Sequence, residues 1–95
     1  MSRSRFDHLE AEVSLAVGQR ISRYALWLRL RELGANPEAL DREAAVGFCK
    51  GPLLHFLVDQ GFGLSPRALR HLARAVARFD PQRPSPADRL ALSDL

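Results

Sequence analysis

SPRALRHLARAVARF, residues 65–79, winds two incompatible faces onto one helix. At about 100° per residue, Leu69, Leu72, Ala73, Val76 and Phe79 share an arc of roughly 120°, while Arg67, Arg70, His71, Arg74 and Arg78 share an opposing arc of roughly 100°. No acidic residue interrupts the cationic arc. A helix that is apolar on one side only lays that side against other elements, so the neighbouring segments must supply an apolar bed.

Immediately upstream, PLLHFLVDQ at 52–60 is apolar nearly all round. Leu53, Leu54, Phe56, Leu57 and Val58 leave only His55 and Asp59 for water, which predicts the central helix. Proline marks where helices start. Asn36-Pro37, Gly51-Pro52 and Ser65-Pro66 each read as an N-cap followed by the first helical residue, where proline has no N–H to lose and its φ already suits. Gly34, Gly47, and Gly61 with Gly63 read as helix ends. The spacing therefore predicts a short helix from Pro37 to about Val46, with Glu38 and Asp41 in its opening turns where the dipole favours negative charge.

Further upstream, a long helical region is predicted from about Ser4 to Leu33. Leu9, Val13, Ala16, Val17, Tyr24 and Trp27 keep helical spacing, and Gly18 with Gln19-Arg20 marks the point where the helix would break or bend. Its second half, YALWLRLREL, is apolar on several faces and is expected deep in the core. Gly61-Phe62-Gly63 reads as a tight loop that plugs Phe62 into the core. Asp80-Pro81 ends the last helix, because the residue before proline avoids the α region. Beyond it, DPQRPSPADRLALSDL is rich in Pro and Ser and is expected to be extended. The predicted architecture is all-α: a small single domain of four to five short helices over residues 1–80, followed by a flexible Pro/Ser-rich tail over 81–95.

A chain of 95 residues is one domain and buries roughly 60 to 65% of its unfolded surface, enough to fold without covalent staples. Cys49 is the single cysteine, which excludes an internal disulfide or a cysteine-based zinc cluster and suits a reducing cytosol. It reads as a small buried apolar residue. The opening MSRSRFDHLEAEV lacks the apolar core of a signal peptide, and no stretch approaches the ~20 apolar residues of a membrane span. A cytoplasmic protein with no membrane partner is expected. The net charge is only +3, and its fourteen basic residues are thirteen Arg and one Lys, Lys50. Distribution therefore matters more than total charge.

The cationic arc carries a small internal cost. Arg70 and Arg74, and Arg74 and Arg78, stand four apart, and Arg67 and Arg70 three apart; with the helix dipole acting on Arg67, the sum is of order 1 kcal/mol. One reading is a solvated face whose arginine stems cover apolar surface, or one that pairs with Glu38, Asp41 and Glu43. A second is a docking surface for an acidic protein, gripped by bidentate guanidinium forks and lined by Arg67, Arg70, His71, Arg74 and Arg78. A third is a phosphate-binding ridge on nucleic acid, with Arg3 and Arg5 as a flexible arm reaching a groove. Three features weigh against that third reading. The arc offers no Asn, Gln, Ser or Thr to read base edges, the net charge is small, and no exposed aromatic pair is available to stack on single strands.

The run LSPRALRHLARAVARFDP, residues 64–81, resembles the closing helices of Cro/CI-type helix-turn-helix repressors, in which a short Ser-Pro or similar cap introduces a helix with the same leucine and alanine spacing. The resemblance implies a DNA-binding helix pair. That pair carries Ala and then Gly four positions later at its turn, whereas here Glu43 precedes Gly47 and Pro52 follows. The segment that would read the major groove, LLHFLVDQ, is almost wholly apolar.

No catalytic constellation is complete. His55 and Asp59 stand four apart, the geometry of an oriented base, without a nucleophile to serve. His8 and Glu12 repeat the spacing without a third metal ligand. His71 lies among arginines, with no nucleophile or metal ligand beside it. The expected function is that of a non-catalytic cytoplasmic regulator or adaptor docking an acidic protein partner, without metal or cofactor; the alternative is a small DNA-binding transcriptional regulator using the same helix. Self-association is a further expectation, with Trp27 and Tyr24 as anchors of a symmetric dimer.

Overall fold

Gly18 divides the N-terminal third into two helices. In the computed structural model, which describes residues 4–80, α1 spans Arg5–Val17 and stops at Gly18, whose φ of 81° lies in the left-handed region. The Gly18 and Gln19 N–H groups both return to the Ser14 carbonyl, at 3.0 and 3.1 Å. The Ser14 hydroxyl then accepts from the Ile21 N–H at 3.2 Å, which sews the corner. Chain direction recovers at Ser22, whose side chain caps α2, Arg23–Glu32. A Cβ placed on Gly18 would meet nothing within 4 Å, so Gly18→Ala carries only the left-handed backbone cost, about 1 kcal/mol. Urea unfolding is expected to show that loss; an unchanged midpoint would mean that the corner relaxes to negative φ.

The segment expected as one helix from Pro37 to Val46 is two elements. A 3-10 turn occupies Pro37–Ala39, with the Asn36 side chain accepting from the Glu38 N–H at 3.1 Å. Leu40 is extended and buried. Asp41 then restarts the chain as the cap of α3, Arg42–Cys49, accepting from the Ala44 N–H at 2.7 Å. Gly47, a terminator by sequence, lies inside α3. Phe48 and Cys49 beyond it are both buried, and that burial outweighs the ~1 kcal/mol helix penalty of one glycine.

Helix α4 runs Pro52–Asp59 and α5 runs Pro66–Ala77, both with proline in the first turn as expected. Ser65 caps α5 by accepting from the Ala68 N–H at 3.1 Å. The fold is thus all-α, with five helices and no strand element among the described residues; the tail expected over 81–95 lies outside them. Helix α5 rests in a trough between α3 and α1. Leu9, Val13, Leu26, Leu30, Ala45, Phe48, Leu53, Phe56, Leu57, Leu72 and Val76 close one shared core. Phe62 packs half-buried against it, as the two-glycine loop suggests.

Two expectations of depth are corrected. Helix α4 is not surrounded: Leu53, Phe56 and Leu57 face inward, while Leu54 and Val58 join His55 and Asp59 in solvent, Val58 being 60% exposed. An eight-residue helix with neighbours on one side buries one arc and leaves the other wet. Helix α2 is an outer layer rather than the deepest element, with only Leu26 and Leu30 fully buried. Tyr24 is 69% exposed. Trp27 is half-buried, with the Arg31 guanidinium 5.2 Å from its ring centre.

Ion pairs tie α2 to its neighbours. Arg23 reaches Asp7 at 2.6 Å and Glu10 at 2.7 Å on α1, and Arg29 reaches Asp59 on α4 at 2.6 Å. Asp7 also completes a capping box with Ser4. Burial pushes its carboxyl upward, but the Arg23 guanidinium and the Ser4 hydroxyl and N–H outweigh that and hold it below the ordinary carboxylate value. Exposed pairs of this kind contribute little stability individually.

Candidate functional site: the arginine face of α5

Helix α5 keeps the two faces read from its sequence. Leu72 and Val76 are buried, and Leu69 and Ala73 pack half-buried against the core. On the far side Arg67, Arg70, His71, Arg74 and Arg78 are all exposed. At 1.5 Å per residue the arginines run along about 16 Å of helix. All five residues singled out from the sequence are therefore brought together on one surface. Among the described residues none of the four arginines has a hydrogen bond or an ion pair with a carboxylate. Asp41, one of the acids offered as an internal partner, caps α3 instead.

Sequence reasoning misses Lys50, the C-cap residue of α3. The packing of α3 on α5 brings it to a cleft of about 400 Å³ that it lines together with Arg70 and Arg74, over Cys49, Pro66, Leu69 and Ala73. No local signal places it there, because Arg70 and Arg74 lie twenty or more residues further along the chain. On the opposite flank of α5, Leu15, Ala16, Ala68 and Leu72 line a second cleft of about 440 Å³, with Glu12, Arg67 and His71 on its walls. The ridge thus stands between two shallow, partly apolar depressions.

Arg5, expected in a flexible arm with Arg3, is instead the first residue of α1, with its guanidinium 5.1 Å from the Phe79 ring centre. Arg3 lies outside the described residues. The position of LLHFLVDQ in a repressor-like pair is also accounted for: Leu53, Phe56 and Leu57 belong to the core, and the outward arc of α4 is Leu54, His55, Val58 and Asp59.

Asp59 and His8, singled out from the sequence with His55 and Glu12, each have a partner elsewhere in the fold. Asp59 is held by Arg29 at 2.6 Å, on the solvent side of α4. His8 is buried against Phe79, ring centres 4.9 Å apart, with its Nε2 3.3 Å from the Ala75 carbonyl and 3.8 Å from Glu12. A carbonyl only accepts, so that contact places a proton on Nε2. Among the described residues no group of three His, Cys, Asp or Glu side chains is placed to hold a metal ion, and no helix is long and apolar enough to cross a membrane. Cys49 is buried, and desolvation, aided by the negative charge of Glu12, pushes its thiol up to about 12. A thiol is nucleophilic only as thiolate. Native protein at a pH of about 8 is therefore expected to react with a disulfide-exchange reagent far more slowly than protein in denaturant; equal rates would show that Cys49 is open to solvent.

The chain matches no protein-family model, no curated protein and no solved structure.

Proposed function

We propose that the chain is a non-catalytic regulator or adaptor, acting in the cytoplasm, that docks an acidic protein surface on the outward face of α5. One observation carries this reading. Arg67, Arg70, Arg74 and Arg78 stand exposed on one face and without a carboxylate partner among the described residues. Elsewhere among the described residues Arg23 and Arg29 are paired and the exposed Arg31 and Arg42 are not; α5 gathers four such unpaired arginines on one helix face. The outward cations of α5 repel one another by a total of order 1 kcal/mol, which approaching carboxylates would convert into attraction. Guanidinium forks grip carboxylates in bidentate fashion. A same-sign ridge also steers an oppositely charged partner during encounter. The unpaired, buried Cys49 suits a reducing compartment.

The test compares two polyanions of different chemistry, fluorescein-labelled poly-glutamate and a labelled random DNA duplex, by anisotropy across a salt series. Poly-glutamate is expected to bind at low salt and to weaken as salt rises. Duplex binding without poly-glutamate binding, with a log–log salt slope that falls by about one for Arg74→Ala, would overturn the reading in favour of a phosphate ridge.

A further inference from the structure

We propose that the occupant of this surface seats in the cleft between α5 and the C-terminal end of α3, and that it is an acidic protein segment carrying an apolar side chain between its carboxylates. This rests on the docking reading above and adds where the partner sits and what it must present. The cleft has cations on both sides, Lys50 on the α3 side and Arg70 and Arg74 on the α5 side, and no acidic residue lines it among the described residues. Arg70 and Arg74 are one turn apart, so their heads meet carboxylates spaced by about 5 to 6 Å, the repeat of one turn of a facing helix. Between them the floor is Leu69 and Ala73, both half-buried.

Charge complementarity selects this cleft over its neighbours. The depression between α1 and α5 sets Glu12 against Arg67 and His71, so its walls are of mixed sign and the acid opposes an incoming carboxylate. The one beside Pro52 and His55 presents Arg29, which already holds Asp59 at 2.6 Å. In the α3–α5 cleft no ion pair within the described residues competes for Lys50, Arg70 or Arg74. An all-carboxylate ligand would satisfy the rim and leave the Leu69 and Ala73 floor wet; a leucine on the ligand covers it. Apolar floor and cationic rim together call for an amphipathic acidic segment.

Lys50 is the single lysine of the chain, which makes the site addressable. Two labelled helical peptides serve as probes, each of glutamates around one central position that is leucine in the first and alanine in the second. The leucine peptide is expected to bind about tenfold more tightly, the factor for partly burying one leucine side chain. Lys50→Glu, with Lys50→Gln as the milder control and circular dichroism to confirm folding, is expected to weaken the leucine peptide severalfold. Zero-length carbodiimide coupling is expected to join peptide to Lys50. Equal affinity of the two peptides, or coupling confined to the N-terminal amine, overturns the proposal. If that same equal binding is still lost in Arg70→Glu/Arg74→Glu, the broader docking reading stands. Absence of binding by both peptides at low salt defeats both. Coupling of Lys50 to Asp88 or Asp94 within the chain would assign the cleft to the protein's own C-terminal residues and overturn the proposal.

Discussion

Phe56→Ala is expected to lower the thermal midpoint by roughly 15 to 30 °C, on the basis of a loss of about 3 to 5 kcal/mol and the entropy of unfolding of a domain this size. Phe56 is 1% exposed. Its ring lies 6.5 Å from that of Phe48 on α3, tilted by 55°, and the Arg29 guanidinium of α2 lies 5.6 Å from its centre. One side chain thus links α4 to α3 and α2, and its removal leaves a cavity that short helices cannot collapse around without losing other contacts. Against a total of about 5 to 15 kcal/mol, the variant would be marginal at physiological temperature. Phe56→Leu keeps much of the volume and is expected to cost less than about 1.5 kcal/mol beyond its lost ring contacts. Val58→Ala, on the solvent arc of the same helix, is expected to change the midpoint little. A Phe56→Ala shift of only a few degrees in a circular-dichroism melt would show that this side chain does not hold α4 to α3 and α2.

How much of the fold is legible in the sequence depends on whether the signal is local. Caps are local, so Asn36-Pro37, Gly51-Pro52 and Ser65-Pro66 mark three starts correctly, and the two faces of α5 follow from its own period. Gly47 misleads because the competing effect, burial of Phe48 and Cys49, comes from α4 and α5 packing on α3 and is invisible in the residues beside it. Asp41 reads as a first-turn acid but is the cap itself, a shift of a few residues that turns one helix into a 3-10 turn and α3. Periodicity shows that PLLHFLVDQ and YALWLRLREL are apolar but not how many neighbours each will find. Leu54, Val58 and Tyr24 are exposed because the small assembly covers only one side of α4 and α2. At the candidate site the same division holds. The arginines share one helix and are readable together; Lys50 joins them only through tertiary packing.

The second large effect concerns the ridge itself. Reversing Arg70 and Arg74 to glutamate removes two guanidinium forks and introduces two repulsive charges, which is expected to weaken poly-glutamate binding by about 30- to 100-fold, equivalent to roughly 2 to 3 kcal/mol. Stability is expected to move in a way that separates this from misfolding. The two introduced carboxylates still repel each other, but the first faces Arg67 three residues back and the second faces Arg78 four residues on, and each such pair contributes a few tenths of a kcal/mol. The melting temperature should therefore stay within a few degrees of wild type or rise slightly. Both positions are exposed, so no core packing is disturbed.

Anisotropy titration of labelled poly-glutamate at low salt, with wild type and the Arg70→Glu/Arg74→Glu protein side by side, addresses the outward, unneutralised state of these guanidinium groups most directly. Saturable binding by wild type and its loss in an equally stable double variant is the expected result. Equal binding by the two proteins, or none by wild type, would contradict it.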